Sequence, residues 1–148
     1  IRRHAAKYRI DPNKVGILGS SAGGHLASTI GTHYRKAYTS NPGNGNLRPD
    51  FMILNYPVIS FADSLAHLGS RFCLAGPPLR PGEMEEIMKD YKTADQKFAS
   101  YPISKEKIAE YSNEWHVDES TPPTFITHSN DDNVVKIANS ILFIAALQ

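Results

Sequence analysis

Apolar residues in this chain fall into short unbroken runs, separated by longer mixed stretches with helical period. Three runs read as strands: 14–18 (Lys14-Val15-Gly16-Ile17-Leu18), 51–56 (Phe51-Met52-Ile53-Leu54-Asn55-Tyr56, stopped by Pro57) and 124–128 (Thr124-Phe125-Ile126-Thr127-His128, introduced by Pro122-Pro123). Continuous runs of this kind suit strands buried on both faces of a parallel sheet. Helical period follows the first run, from Ala22 to about Lys36. It returns at Ile137, Ile141, Leu142, Ala145 and Ala146, which predicts a helix near 134–147. Residues 1–9 read as the end of a helix, stopped before the turn at Asp11-Pro12. The polar stretch 39–46, rich in Asn, Gly and Pro, reads as a flexible loop.

Strands alternating with helices predict an α/β fold, a parallel sheet with flanking helices. The stretch 62–121 is long and mixed. Pro77-Pro78 and Pro81-Gly82 break it, and helical segments are predicted from Glu83 to about Lys92 and from Lys105 to Tyr111. Two readings of it stand side by side: a cap or lid over the sheet, or a helical layer that only packs.

Composition narrows the function classes. A chain of 148 residues can form one domain that buries roughly 70% of its unfolded surface. A net charge of +1 supplies no field for nucleic acid or an anionic membrane, and no apolar run is long enough to span a bilayer. Arg2, Arg3, Lys7 and Arg9 read as a solvated helix face. Cys73 is the single cysteine, which excludes an intrachain disulfide. The chain starts with Ile and shows no leader pattern, so the sequence assigns neither compartment nor oligomeric state.

The chemistry centres on Gly19-Ser20-Ser21-Ala22-Gly23, a G-x-S-x-G run between a predicted strand and a predicted helix. That is the setting of a nucleophile elbow, in which a strained turn leaves a Ser hydroxyl at a helix N-terminus. The two glycines are expected where backbones crowd, and the helix dipole favours a developing negative charge. A phosphate-binding turn is the rival, but no Gly-Lys-Ser/Thr follows and no G-x-G-x-x-G register exists here. A Ser nucleophile needs a base and an acid that orients it. The acid belongs after a later strand, and Asp132 is the choice there, with Asp131 as runner-up. The base is the difficulty, because all six histidines precede Asp132. His25 is expected to point along its helix rather than at Ser21, and His128 to pack or hydrogen-bond. His67 and His116 fall in the cap-like stretch. No two histidines have a helical metal-ligand spacing, and no metal or organic cofactor is called for.

Segments 10–27, 49–60, 67–71, 111–114 and 121–135 are together similar, in colinear order, to the α/β-hydrolase superfamily. More narrowly the chain resembles its bacterial acetyl xylan esterase-like branch of carbohydrate esterases and lipase-like hydrolases. The resemblance implies Ser21 as nucleophile, Asp132 as triad acid and the backbone N–H of Ala22 as an oxyanion-hole donor. Ser20 and Pro57 join the candidate set as substrate contacts. Family members also carry earlier strands, a His-Gly-Gly-type loop for the second oxyanion donor, and a catalytic His beyond the last helix seen here. Lys136 stands where a proline is common, and 83–104 reads as an insertion.

The expectation is therefore an internal part of one α/β-hydrolase domain spanning 1–148, with 62–121 as a cap-like insertion and the N-terminal strands and His segment absent. A truncated or decayed gene product is the alternative. On its own such a piece should be inactive and, with bare strand edges and apolar faces, prone to associate. The expected activity of the complete protein is serine hydrolysis of carboxylic esters, short acyl (acetyl) esters of carbohydrates foremost. A prolyl-oligopeptidase-like peptidase and a non-catalytic binding module on the same fold are the other readings.

Overall fold

The computed structural model describes residues 1–36 and 46–148, so most of the predicted 39–46 loop lies outside the described residues. Three parallel strands, β1 (Ile17–Ser20), β2 (Met52–Asn55) and β3 (Thr124–Thr127), form a sheet in chain order. The register is Ile17 to Met52 to Thr124 at one end and Ser20 to Asn55 to Thr127 at the other. All three strands therefore end on one edge. β1 lies later than the predicted 14–18, because residues 14–16 only lead in. Val15 exchanges backbone and side-chain bonds with Asp50, whose carboxylate also takes Arg2 at 2.9 Å. Arg2 is thus a half-buried tie to the start of β2, a correction to its reading as part of a solvated face.

The short helix α1 (Ala5–Tyr8) follows a 3₁₀ turn at Arg2–His4 and stops at Arg9, which adopts a left-handed conformation. Helix α2 (Ala22–His33) packs one face of the sheet. A Cβ at Gly31 would stand 2.2 Å from the sulfur of Met52, so a larger residue there would have to displace the end of that side chain. With Ala27, Met52, Leu54 and Ile59, Phe143 of α7 (Ala138–Ala146) closes the main core. The opposite face, with Leu18 64% and Phe125 63% exposed, carries no covering element among the described residues.

Between β2 and β3 run α3 (Leu68–Ala75), α4 (Glu83–Met88), α5 (Tyr91–Ser100) and α6 (Lys105–Tyr111), then a 3₁₀ turn at Asn113–His116. The predicted helix to Lys92 is two helices. α4 stops at Met88, and the Asp90 side chain caps α5 by accepting the Lys92 amide at 3.2 Å. α3 was not predicted; its N-cap is His67, whose Nδ1 accepts the Ser70 amide at 3.1 Å. Phe72, Ile87, Ala94 and Phe98 give α3, α4 and α5 a small core of their own. The region returns to the sheet layer through Asn113, whose buried amide donates to His25 O, Ser28 Oγ and Thr29 Oγ1 on α2.

Candidate active site

Both candidate site segments leave the same edge of the sheet. Ser21 follows β1 and donates its amide to Asn55 O at 3.0 Å, as though the strand continued. Its carbonyl turns the other way and accepts from His25 and Val58. The residue therefore bends sharply, to φ 53 and ψ −124. A non-glycine residue is costly in that region, and such conformations cluster at functional sites. Ser21 is also the N-cap of α2, the place where a Ser side chain ordinarily bonds a helical amide. Here it makes no capping bond. Ala22, exposed, opens α2, and its N–H is among the first four helical amides, which have no intrahelical acceptor. That is the chemistry an oxyanion donor requires.

The glycines divide the work differently from the motif's spacing. A Cβ at Gly19 would lie 2.1 Å from Gly23 O, so Gly19 is required. A Cβ at Gly23 would meet nothing within 4 Å, whereas one at Gly24 would strike Pro57 at 2.7 Å. The second close approach is at Gly24, a correction to the expectation for Gly23. Pro57 is fully buried beneath Gly24, so it supports the elbow by packing and has no exposed surface to offer a substrate. The Ser20 hydroxyl is engaged by Asn55 Nδ2 at 3.3 Å, and Asn55 Oδ1 accepts from Thr127 Oγ1 at 2.7 Å. This polar ladder crosses all three strands at their last residues.

Asp132 lies in the loop after β3, with its side chain 19% exposed. Oδ1 accepts the amides of Val134 and Val135, each at 2.9 Å, and Oδ2 lies 3.4 Å from His128 Nε2. The Val135 and Val134 amides hold this carboxyl below the usual carboxylate range, with His128 adding to the effect. Asp131 is exposed and takes the Ser129 hydroxyl. Of the two, Asp132 alone is built into a frame. With strands spaced about 4.8 Å apart, β1 and β3 are roughly 10 Å apart across β2, a span that one imidazole between Ser21 and Asp132 can bridge.

The histidines with assigned ring bonds are committed elsewhere. His25 is buried, stacks on Phe61 at 4.8 Å and bonds Tyr111 O at 2.9 Å; burial pushes its pKa down. His67 caps α3, His116 bonds Ala109 O, and His33 bonds Thr32 Oγ1. His128 is held between Ser140 and Val135. Sequence reasoning missed the buried amides that fix the loops. Asn139 is the clearest, its Oδ1 accepting both Ile59 N and Ser60 N at 2.9 Å. The spacing from His128 to Asp132 was the one local signal for the acid's frame.

A mostly apolar groove of about 1060 Å³ runs beside Ala22 along α2, walled by Leu26, Ile30, Phe61, Leu74 and Tyr111. Among the described residues no group of three or more His, Cys, Asp or Glu side chains could hold a metal, and no helix is long and apolar enough to cross a membrane.

The BD-FAE family matches residues 1–147. The chain is 34% identical over 150 residues to an acetylxylan esterase of Xylanibacter ruminicola, covering 100% of this chain and 25% of that protein. It is 32% identical over 151 residues to endo-1,4-beta-xylanase B of Butyrivibrio fibrisolvens, covering 100% of this chain and 20% of that one. Among solved structures, the acetyl ester-xyloside bifunctional hydrolase from Caldicellulosiruptor lactoaceticus superposes with a TM-score of 0.68 at 36% identity, over 99% of this chain and 46% of that one. The chain thus spans a quarter or less of these curated relatives and under half of the solved one. With the parallel sheet and the Ser21 elbow already in place, the match over nearly every residue makes this chain a member of the BD-FAE family, on part of an α/β-hydrolase fold.

Proposed function

We propose that Ser21 is the nucleophile of a carboxylic ester hydrolase that acts on short acyl esters, acetyl foremost, of carbohydrates. The observation that carries this is the Ser21 backbone: a left-handed bend at a helix N-cap whose hydroxyl makes no cap. The substrate class draws on the relatives named for acetylxylan and acetyl ester-xyloside hydrolysis.

In this reading Ser21 Oγ attacks the ester carbonyl carbon while a histidine takes its proton. The Ala22 amide meets the oxyanion. Collapse of the tetrahedral adduct breaks the bond to the alcohol, which leaves with that proton. Water then attacks the acyl-enzyme by the same route and frees the acid and Ser21. Asp132 orients the histidine. That base and the second oxyanion donor come from residues other than those described. The groove beside Ala22 would receive the less polar part of the ester.

The test is labelling with a fluorophosphonate in a polypeptide extended over the length of its relatives. Labelling should be stoichiometric and vanish in Ser21→Ala. Its absence in the parent protein would favour a non-catalytic binding module. Cleavage of aminopeptidase substrates in preference to acetyl esters would favour a peptidase. The 148 residues alone should show no Ser21-dependent hydrolysis of p-nitrophenyl acetate, since loss of a triad base costs on the order of 10⁶ in kcat.

A further inference from the structure

We infer that His128 and Ser140 form a positioning pair for Asp132, an inference that rests on the reading of Asp132 as the triad acid. His128 is the last residue before the acid loop and its side chain is 3% exposed. Its Nε2 lies 2.8 Å from Val135 O, a group that only accepts, so Nε2 carries the hydrogen. Nδ1 bonds the Ser140 hydroxyl at 2.7 Å, from the first turn of α7. Both ring nitrogens are engaged. The ring is therefore not free to act as the base for Ser21.

What the ring does is close a frame. Val135 is gripped at both ends, its N–H by Asp132 Oδ1 and its C=O by His128. Asp132 Oδ2, the oxygen left for the catalytic base, rests 3.4 Å from the same Nε2. A carboxylate oxygen accepts two bonds, so Oδ2 can lie against His128 and still accept the N–H of the base. The rigid member is α7. Its Ser140 holds the ring, and the neighbouring Asn139 holds the Ile59 and Ser60 amides beyond β2. One end of one helix thus fixes the acid loop and the segment that follows β2.

The experiment compares His128→Leu, His128→Gln and Ser140→Ala in the extended polypeptide, with Ser21→Ala and Asp132→Ala as references. Leu fills the ring's space without a donor, while Gln can return an N–H near the Nε2 position. His128→Leu should lower kcat about 10–100-fold at unchanged KM, the range for losing a hydrogen bond that serves a charged group. Fluorophosphonate labelling should slow by the same factor, and His128→Gln should recover to within about threefold. A folded Ser140→Ala protein should lose several-fold in kcat, which keeps the idea testable even where His128→Leu fails to fold. Equal losses in His128→Leu and His128→Gln, or an unchanged kcat in folded Ser140→Ala, would overturn the inference alone. Full activity in Ser21→Ala or Asp132→Ala would overturn the parent reading and this inference with it.

Discussion

Replacing Ser21 by glycine should make the protein more stable, and replacing it by alanine should not. The reason is the backbone. At φ 53 and ψ −124 a residue with a Cβ is strained by about 1–3 kcal/mol. Glycine removes that strain but loses about 0.4–1 kcal/mol through the freer unfolded chain. The net gain of Ser21→Gly is therefore between about 0 and 2.6 kcal/mol, about 1 kcal/mol at mid-range. Ser21→Ala keeps the Cβ and so keeps the strain. An ordinary N-cap Ser costs about 1 kcal/mol when lost, but Ser21 makes no capping bond, so the alanine variant should stay close to the parent. The measurement is urea unfolding followed by circular dichroism, comparing midpoints of the two variants at equal slope. In thermal melts the same difference should appear as about 2–4 °C per kcal/mol. A Ser21→Gly midpoint at or below that of Ser21→Ala would mean that the elbow stores no strain. Both variants should fail to label with fluorophosphonate, so stability and reactivity part at one residue.

The glycines next to Ser21 should behave in opposite senses. Gly23→Ala meets open space and should gain up to about 1 kcal/mol in helix propensity, whereas Gly24→Ala strikes Pro57 and should destabilise, both read by thermal melting. Asn139→Ala leaves the buried Ile59 and Ser60 amides unpaired, which should cost roughly 2–6 kcal/mol; a loss below 1 kcal/mol in urea unfolding would contradict the role given to that amide. Stability should fall with acid in two stages. His25 and His33 have folded pKa values below their ordinary 6.5, chiefly through burial, so the unfolded chain binds their protons first and stability declines as pH drops below 6.5. Asp132 is held below its ordinary 3.8, so its contribution is present above that value and lost as pH falls through the folded pKa. A series of melts against pH should show His25→Gln flattening the first stage and Asp132→Asn only the second.

The strands of the sheet were legible because they are local. Each of the runs at Ile17, Met52 and Thr124 is apolar over a few residues and flanked on one side by Gly or Pro, and the structure places a strand within each neighbourhood. The ends moved because pairing sets them. β1 reaches Ser20 because Asn55 lies opposite, which no pattern in 14–20 encodes. α3 carries no sequence signal because Gly69, Ser70 and Cys73 are weak helix formers and the residue that starts it is a histidine acting as a cap. The helix through Lys92 was too long because Asp90 resembles any acidic surface residue until its carboxylate is seen on the Lys92 amide. The candidate site divides in the same way. Ser21 and the Asp132 loop are short-range features, carried by glycine spacing and by a turn after a strand. The groups that hold them come from far along the chain: Asn55 against Ser21, Asn113 against α2, and Ser140 and Asn139 against the two loops at the sheet's edge. A serine and three asparagines in such places carry no sequence pattern of their own. What assigns them is the bonds they make across the fold, and this is why His128 reads only as a packing or hydrogen-bonding residue from the sequence and as a positioning group once Ser140 and Val135 stand on either side of its ring.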